Sequence, residues 1–295
     1  MADSGAFGTR LATAFARWGQ LCIGIDPHAW LLGEWGLNDD AAGLREFGLR
    51  VVDAAHGRVG IVKPQVAFFE RHGSAGYAAL ESVLSAARDA GLIVIADGKR
   101  GDVGTTAEAY GQAWLTPGSP LEADAMTANA FQGIGSLSGP IALATHAGKG
   151  LFVLAATSNP ESLPLQTAVI APGVEEGTPG RTVAAGIVDG VIGLNASESM
   201  GTVGRVGSFG VVIGATVDPA RFGLPLQAMA THPATPVLAP GFGHQGASFT
   251  DLRARYGPCS PFVVATTSRE VLAAGPSGIE RAIERGAGEL AECLA

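Results

Sequence analysis

Three observations predict a (β/α)8 TIM barrel with an extra N-terminal helix and a long loop after the fifth strand. Short apolar, β-branched runs alternate with helix-length periodic segments, the pattern of parallel strands joined by crossover helices. Eight such runs occur in 295 residues, in keeping with the ~250 residues usual for a closed eight-stranded barrel plus insertions. Acids, bases and hydrogen-bond donors fall at the C-terminal ends of the runs, where barrels of this kind carry their chemistry.

In chain order, apolar residues at 7, 11, 14, 15 and 18 have the spacing of one helix face. The strand candidates are residues 21–25, 60–63, 92–97, 123–127, 151–156, 210–214, 236–239 and 262–266. Helical patterns such as 39–56, 76–90, 105–115, 181–195, 219–231 and 276–294 lie between them. The first strand leads into Asp26, the second ends in Lys63, and the third ends in Asp97 and Lys99. The fourth ends at Thr127 and Asn129, and the fifth at Thr157-Ser158-Asn159. The seventh opens into a loop with Gly241, Gly243 and Gly246, and the eighth ends at Ser268-Arg269. Residues 159–180 are rich in Pro and Gly and read as a long loop, a feature often tied to function in compact domains. No repeat, low-complexity tract or linker divides the chain, so residues 1–295 are expected to form one barrel domain.

Composition narrows the functional classes. Charged residues are 16% and hydrophobic ones 47%, enough for a large buried core. The net charge of -8 with no basic tract argues against nucleic acid as a partner. Cys22, Cys259 and Cys293 form no CxxC pair, which fits a reducing compartment and carries no metal signature. The first residues lack the basic-then-apolar order of a signal peptide, and no apolar stretch approaches the ~18 residues of a membrane span. A cytoplasmic location is expected. The six histidines show neither HxH nor HExxH spacing, so no metal site is expected from them. Asn195-Ala-Ser197 matches a glycosylation sequon, which a cytoplasmic chain makes a coincidence.

The densest chemistry lies in Asp97-Gly98-Lys99-Arg100-Gly101-Asp102, directly after the apolar run 92–96. Charges at the end of a buried strand are costly unless paired, so a packed core has no use for them. Side chains alternate along a strand, which turns Asp97 and Lys99 the same way. At the far end of the chain, the glycines of 241–246 let backbone N–H groups approach an anion, and Arg269 suits a bidentate phosphate contact. Residues 241–246 also match GxGxxG. A dinucleotide fingerprint would require an acid at the end of the next strand, where Thr266-Thr267-Ser268-Arg269 stands instead.

These residues resemble the orotidine 5'-phosphate decarboxylase family, most closely its longer bacterial branch. The resemblance runs from Cys22-Ile23-Gly24-Ile25-Asp26-Pro27 to Ser268-Arg269. It is carried by residues 97–106 in order with Lys63-Pro64-Gln65, Asp124-Ala125-Met126-Thr127, Thr157-Ser158-Asn159-Pro160 and Pro240–Gly246. The resemblance implies conversion of orotidine 5'-monophosphate to UMP and CO2, in pyrimidine biosynthesis, with no metal or organic cofactor. It implies that Lys99 donates the proton and that Asp97 lies against the substrate carboxylate. Lys63 and Asp102 complete an alternating charge network, in which Asp102 and Thr106 enter the site of a partner subunit in a homodimer. Asp26 and Lys63 contact ribose hydroxyls, Ser158 reads the pyrimidine with Asn159 beside it, and Gln245 and Arg269 grip the phosphate. Two positions depart from the family pattern, Glu161 and His244, each standing where a small residue is expected.

For the reaction that the resemblance implies, the charges supply a mechanism. Loss of CO2 leaves an electron pair on a ring carbon that delocalises it poorly, and a fixed ammonium stabilises that charge. Lys63, Asp97, Lys99 and Asp102 sum to zero, and alternation favours the protonated ammonium. Two alternatives stay open at this level. One is a related barrel acting on sugar phosphates through a metal-stabilised enediolate, which shares Asp-x-Lys-x-x-Asp but needs acidic ligands at other strand ends. The other is a non-catalytic barrel that binds nucleotide or a protein partner.

Overall fold

The computed structural model describes residues 5–173, 178–198, 205–243 and 246–295. Eight parallel strands close on themselves in sequence order: β1 (Leu21–Ile25), β2 (Ile61–Pro64), β3 (Ile93–Arg100), β4 (Ala125–Ala128), β5 (Gly150–Ala156), β6 (Phe209–Ile213), β7 (Val237–Pro240) and β8 (Val263–Thr267). Closure is made by β1 against β8, with Leu21 opposite Ala265 and Ile23 opposite Thr267. A closed parallel sheet leaves no edge and buries both faces, which explains why the strands read as continuous apolar runs.

Seven longer helices accompany the barrel: α1 (Phe7–Trp18), α2 (Ala41–Ala55), α3 (Gly73–Asp89), α4 (Gly104–Leu115), α5 (Ser138–Ala147), α6 (Val183–Glu198) and α7 (Ile279–Leu294). Alternation along each strand divides the core in two. Leu21, Ile23 and Ile25 of β1 face outward into the layer beneath the helices. Cys22, Ile61, Ile93, Ile95, Phe152, Val212, Leu238 and Val264 fill the barrel interior, where they meet Phe7 and Leu11 of α1. The extra helix thus closes the N-terminal end of the barrel. Phe7 packs edge-on against Phe152 at 5.9 Å, and a side chain at Gly150 would collide with the Phe7 ring.

Asp124 belongs to this lower end. It precedes β4, accepts the Val94 N–H at 2.9 Å and pairs with Arg10 of α1, while Lys149 bonds Glu122 beside it at 2.7 Å. Its place in the motif around Thr127 is therefore structural, at the end of the barrel opposite the polar mouth. Asn195 is also structural. It is 1% exposed, and its amide bonds the backbone of Phe209 and the hydroxyl of Thr235, so the sequon is closed to modification.

The connections depart from the expected pattern in three places. The helical pattern at 219–231 yields only Leu226–Met229. Gly223 at φ 64 and Pro225 interrupt the helix before it starts. Conversely, α5 forms between β4 and β5 with Pro140 in its first turn, where the missing N–H is tolerated. The loop after β5 is partly organised: Pro160–Ser162 and Leu163–Gln166 are short helical turns, and Val169 bridges Thr182.

Candidate active site

The strand ends surround a cavity of about 550 Å³ at the C-terminal mouth. Its floor is built from the inward-facing positions that continue the apolar interior. On β2, Ile61 points inward and so does Lys63 two residues later; on β3, Ile93 and Ile95 are followed by Asp97.

Asp97 is the hub. Its Oδ2 accepts the Lys63 ammonium at 2.7 Å, and its Oδ1 accepts the Lys99 ammonium at 2.6 Å and the Thr127 hydroxyl at 2.9 Å. Gln65 donates to its backbone carbonyl at 3.1 Å. Burial opposes both charges of the inner pair, and the partners overcome it. The Lys63 and Lys99 ammonium groups hold the Asp97 carboxyl well below the usual carboxylate range. Asp97, and then Asp26, hold the Lys63 ammonium above its ordinary value despite an exposure of only 3%. Beneath them Cys22 is pushed up to about 12 by burial, so its thiol stays protonated and inert.

The β3–β4 register explains how Lys99 reaches the mouth. Ala96 pairs with Met126, yet the next pair is Arg100 with Ala128, so Asp97, Gly98 and Lys99 face Thr127 alone. Bulges of this kind re-aim side chains beside active sites. Among the described residues Lys99 is the one non-glycine with a left-handed backbone, φ 48. Asp97 and Lys99 share a direction, as alternation predicts, but Lys99 arrives there through the bulge. Arg100 turns outward and bonds Glu70 at 2.7 Å and Tyr77 at 3.2 Å.

The upper walls come from the loops. After β5, Gln166 clamps Thr157 twice, accepting its N–H at 2.9 Å and donating to its hydroxyl at 3.0 Å. Thr157 in turn donates to Asn159 at 2.8 Å, and Asn159 donates to Glu161 at 3.1 Å. Glu161, the departure from the small residue expected there, thus helps hold the loop that carries Ser158 and Asn159. After β7, Gly243 and Gly246 have positive φ, and their N–H groups close a tight reversal onto Ala247 and Gly243. A chain that reverses here does not run on into a helix as a dinucleotide fingerprint does. After β8, Ser268 and Arg269 sit at the cavity wall, and Arg269 makes no ion pair with a described residue. Asp26 Oδ1 and Ser268 Oγ are buried without a hydrogen-bond partner among the described residues. Such atoms suit a ligand's hydroxyl and phosphate groups.

Of the residues singled out in the sequence, Asp26, Lys63, Asp97, Lys99, Ser158, Asn159 and Arg269 line this one cavity. Asp102 and Thr106 do not. Asp102 is half-buried and accepts the adjacent Val103 N–H at 2.8 Å, and Thr106 is exposed on α4. Gln245 and His244 lie outside the described residues. Sequence reasoning placed Thr127 among the polar strand ends without a specific role, and gave none to Gln65 or Gln166. The first two stand inside recognised motifs, whereas Gln166 carries no signal of its own. Among the described residues no three of His, Cys, Asp and Glu cluster as metal ligands would. The enediolate chemistry considered above asks for acids where Lys63 and Ser158-Asn159 stand.

Comparison with known proteins agrees with this geometry. Residues 19–255 match the model of the "Orotidine 5'-phosphate decarboxylase / HUMPS family". An orotidine 5'-phosphate decarboxylase of Salinispora tropica is 47% identical over 292 residues, 98% of either chain. One from Streptomyces coelicolor is 46% identical over 271 residues, covering 92% of this chain and 91% of that one. A solved structure from Streptomyces avermitilis, assigned to the same enzyme, superposes with a TM-score of 0.88 at 43% identity, covering 98% of this chain and 96% of that chain. Likeness at this level, spread along nearly the whole sequence and not confined to the motifs, places the chain in the orotidine 5'-phosphate decarboxylase / HUMPS family.

Proposed function

We propose that this protein decarboxylates orotidine 5'-monophosphate to UMP and CO2, a step of pyrimidine biosynthesis. The Lys63–Asp97–Lys99 array on the cavity floor carries the reading. The bond from the ring carbon to the carboxylate breaks, CO2 leaves, and the electron pair stays on the ring carbon. The Lys99 ammonium stabilises that pair and then delivers its proton to the same carbon. Asp97 holds Lys99 in place and faces the substrate carboxylate. Asp26 and Lys63 receive the ribose hydroxyls, Ser158 and Asn159 read the base, and Arg269 with Gln245 holds the phosphate. Phosphate binding, remote from the bond that breaks, supplies free energy for aligning the site.

The reaction so drawn uses no metal or organic cofactor. The active unit is a homodimer in which Asp102 and Thr106 complete the partner's site; their position outside their own cavity supports this. No helix among the described residues is long and apolar enough to cross a membrane, and all three cysteines are unpaired, which suits a cytoplasmic enzyme.

Turnover of orotidine 5'-monophosphate, followed by ultraviolet absorbance, tests the assignment. Full activity in EDTA is expected, with Lys99→Ala inactive yet folded. Activity lost on chelation and restored by Mg²⁺ would shift the reading to sugar-phosphate chemistry.

A further inference from the structure

Thr127 is the single β4 residue opposite the three bulged residues of β3. It is almost fully buried, at 1% exposure. Its hydroxyl accepts the backbone N–H of Lys99 at 2.9 Å and donates to Asp97 Oδ1 at 2.9 Å. That carboxylate oxygen also accepts the Lys99 ammonium at 2.6 Å. One ring of contacts therefore runs from the Lys99 backbone through Thr127 and Asp97 to the Lys99 side chain. A left-handed lysine persists only where its surroundings over-determine it, and Thr127 ties both ends of this one.

Resting on the decarboxylase reading, we infer that Thr127 is a positioning residue, whose hydroxyl holds the β3 bulge and fixes where the Lys99 ammonium stands. Thr127 borders the cavity, but both hydrogen bonds of its hydroxyl go to Lys99 and Asp97, so it acts through them. The methyl group packs, and the hydroxyl does the aligning. Valine matches the shape without the hydroxyl, and serine keeps the hydroxyl without the methyl.

Three proteins and three readouts test this. Thr127→Val is expected to lower kcat by about 10²-fold, the effect of displacing a catalytic group by roughly 1 Å. Its affinity for UMP, measured by calorimetry, stays within about threefold of wild type, since binding common to ground and transition states is untouched. Thr127→Ser recovers most of kcat. A Thr127→Val protein with wild-type kcat, a serine variant as slow as the valine one, or parallel losses in kcat and UMP affinity would each overturn the inference. A crystal structure of Thr127→Val is independent of substrate. Lys99 is expected to leave its positive φ and its ammonium to release Asp97. An unchanged Lys99 there sinks the positioning role, whereas a wild-type protein inert toward orotidine 5'-monophosphate sinks only the decarboxylase assignment.

Discussion

Asp97 and Lys63 form a buried pair in which each partner is ionised because of the other. Removing one partner of such a pair is more damaging than replacing both, because an unpaired charge stays buried. Asp97→Ala is expected to destabilise the fold by roughly 3 kcal/mol, the low end for a broken buried pair, because Asp26 still faces Lys63. Urea denaturation at pH 7 checks it, and a change near zero would show that the array serves chemistry alone. The pH dependence has a definite sign. Asp97 is held low in the folded state, so its contribution is complete above the unfolded carboxyl value of about 3.9 and fades as acid protonates the folded form. Lys63 is held high, so its contribution is complete below about 10.4 and fades as alkali removes the proton from the folded form. The stability gap between wild type and Asp97→Ala should therefore stay level from about pH 5 to pH 9 and shrink in stronger acid.

At the level of elements, α1 is a separable contributor. Phe7 is fully buried against Phe152 at the end of the barrel remote from the mouth. Phe7→Ala is expected to cost about 3–5 kcal/mol of stability, as large-to-small core changes do, with kcat at 25 °C unaltered. A fall in kcat for the folded variant would mean that the two ends of the barrel are coupled. The strands and α1 were legible because their burial is two-sided or strictly periodic, and the expected 21–25 and 7–18 match the observed bounds. The helix at 219–231 was not, since apolar spacing hides the break made by Gly223 and Pro225. α5 was missed for the opposite reason, its Gly139 and Pro140 resembling a turn. In the site, residues whose charges are anomalous in a buried strand announced themselves. Gln166 did not, and Thr127 was visible only as a polar strand end, because a hydroxyl or an amide acquires meaning only from what it touches.

At the scale of the whole molecule, Asp102 and Thr106 stand outside the cavity of their own chain while Lys99 stands within it. In the homodimer we propose, two-fold symmetry would build each site from Lys99 of one chain and Asp102 of the other. Lys99→Ala and Asp102→Ala homodimers should each be nearly inactive. Mixed and allowed to exchange at random, they should regain about a quarter of wild-type activity, because half the dimers carry one intact site of two. Mixed dimers no more active than their parents would return Asp102 to its own subunit. The helix seated under the barrel has a consequence for traffic. Among the described residues, Phe7 and Leu11 plug the lower end, and the reaction chamber opens at the strand C-termini. Substrate entering and product leaving by that mouth pass the same loops. A compound lodged in that opening would shut out fresh substrate and trap finished product at once.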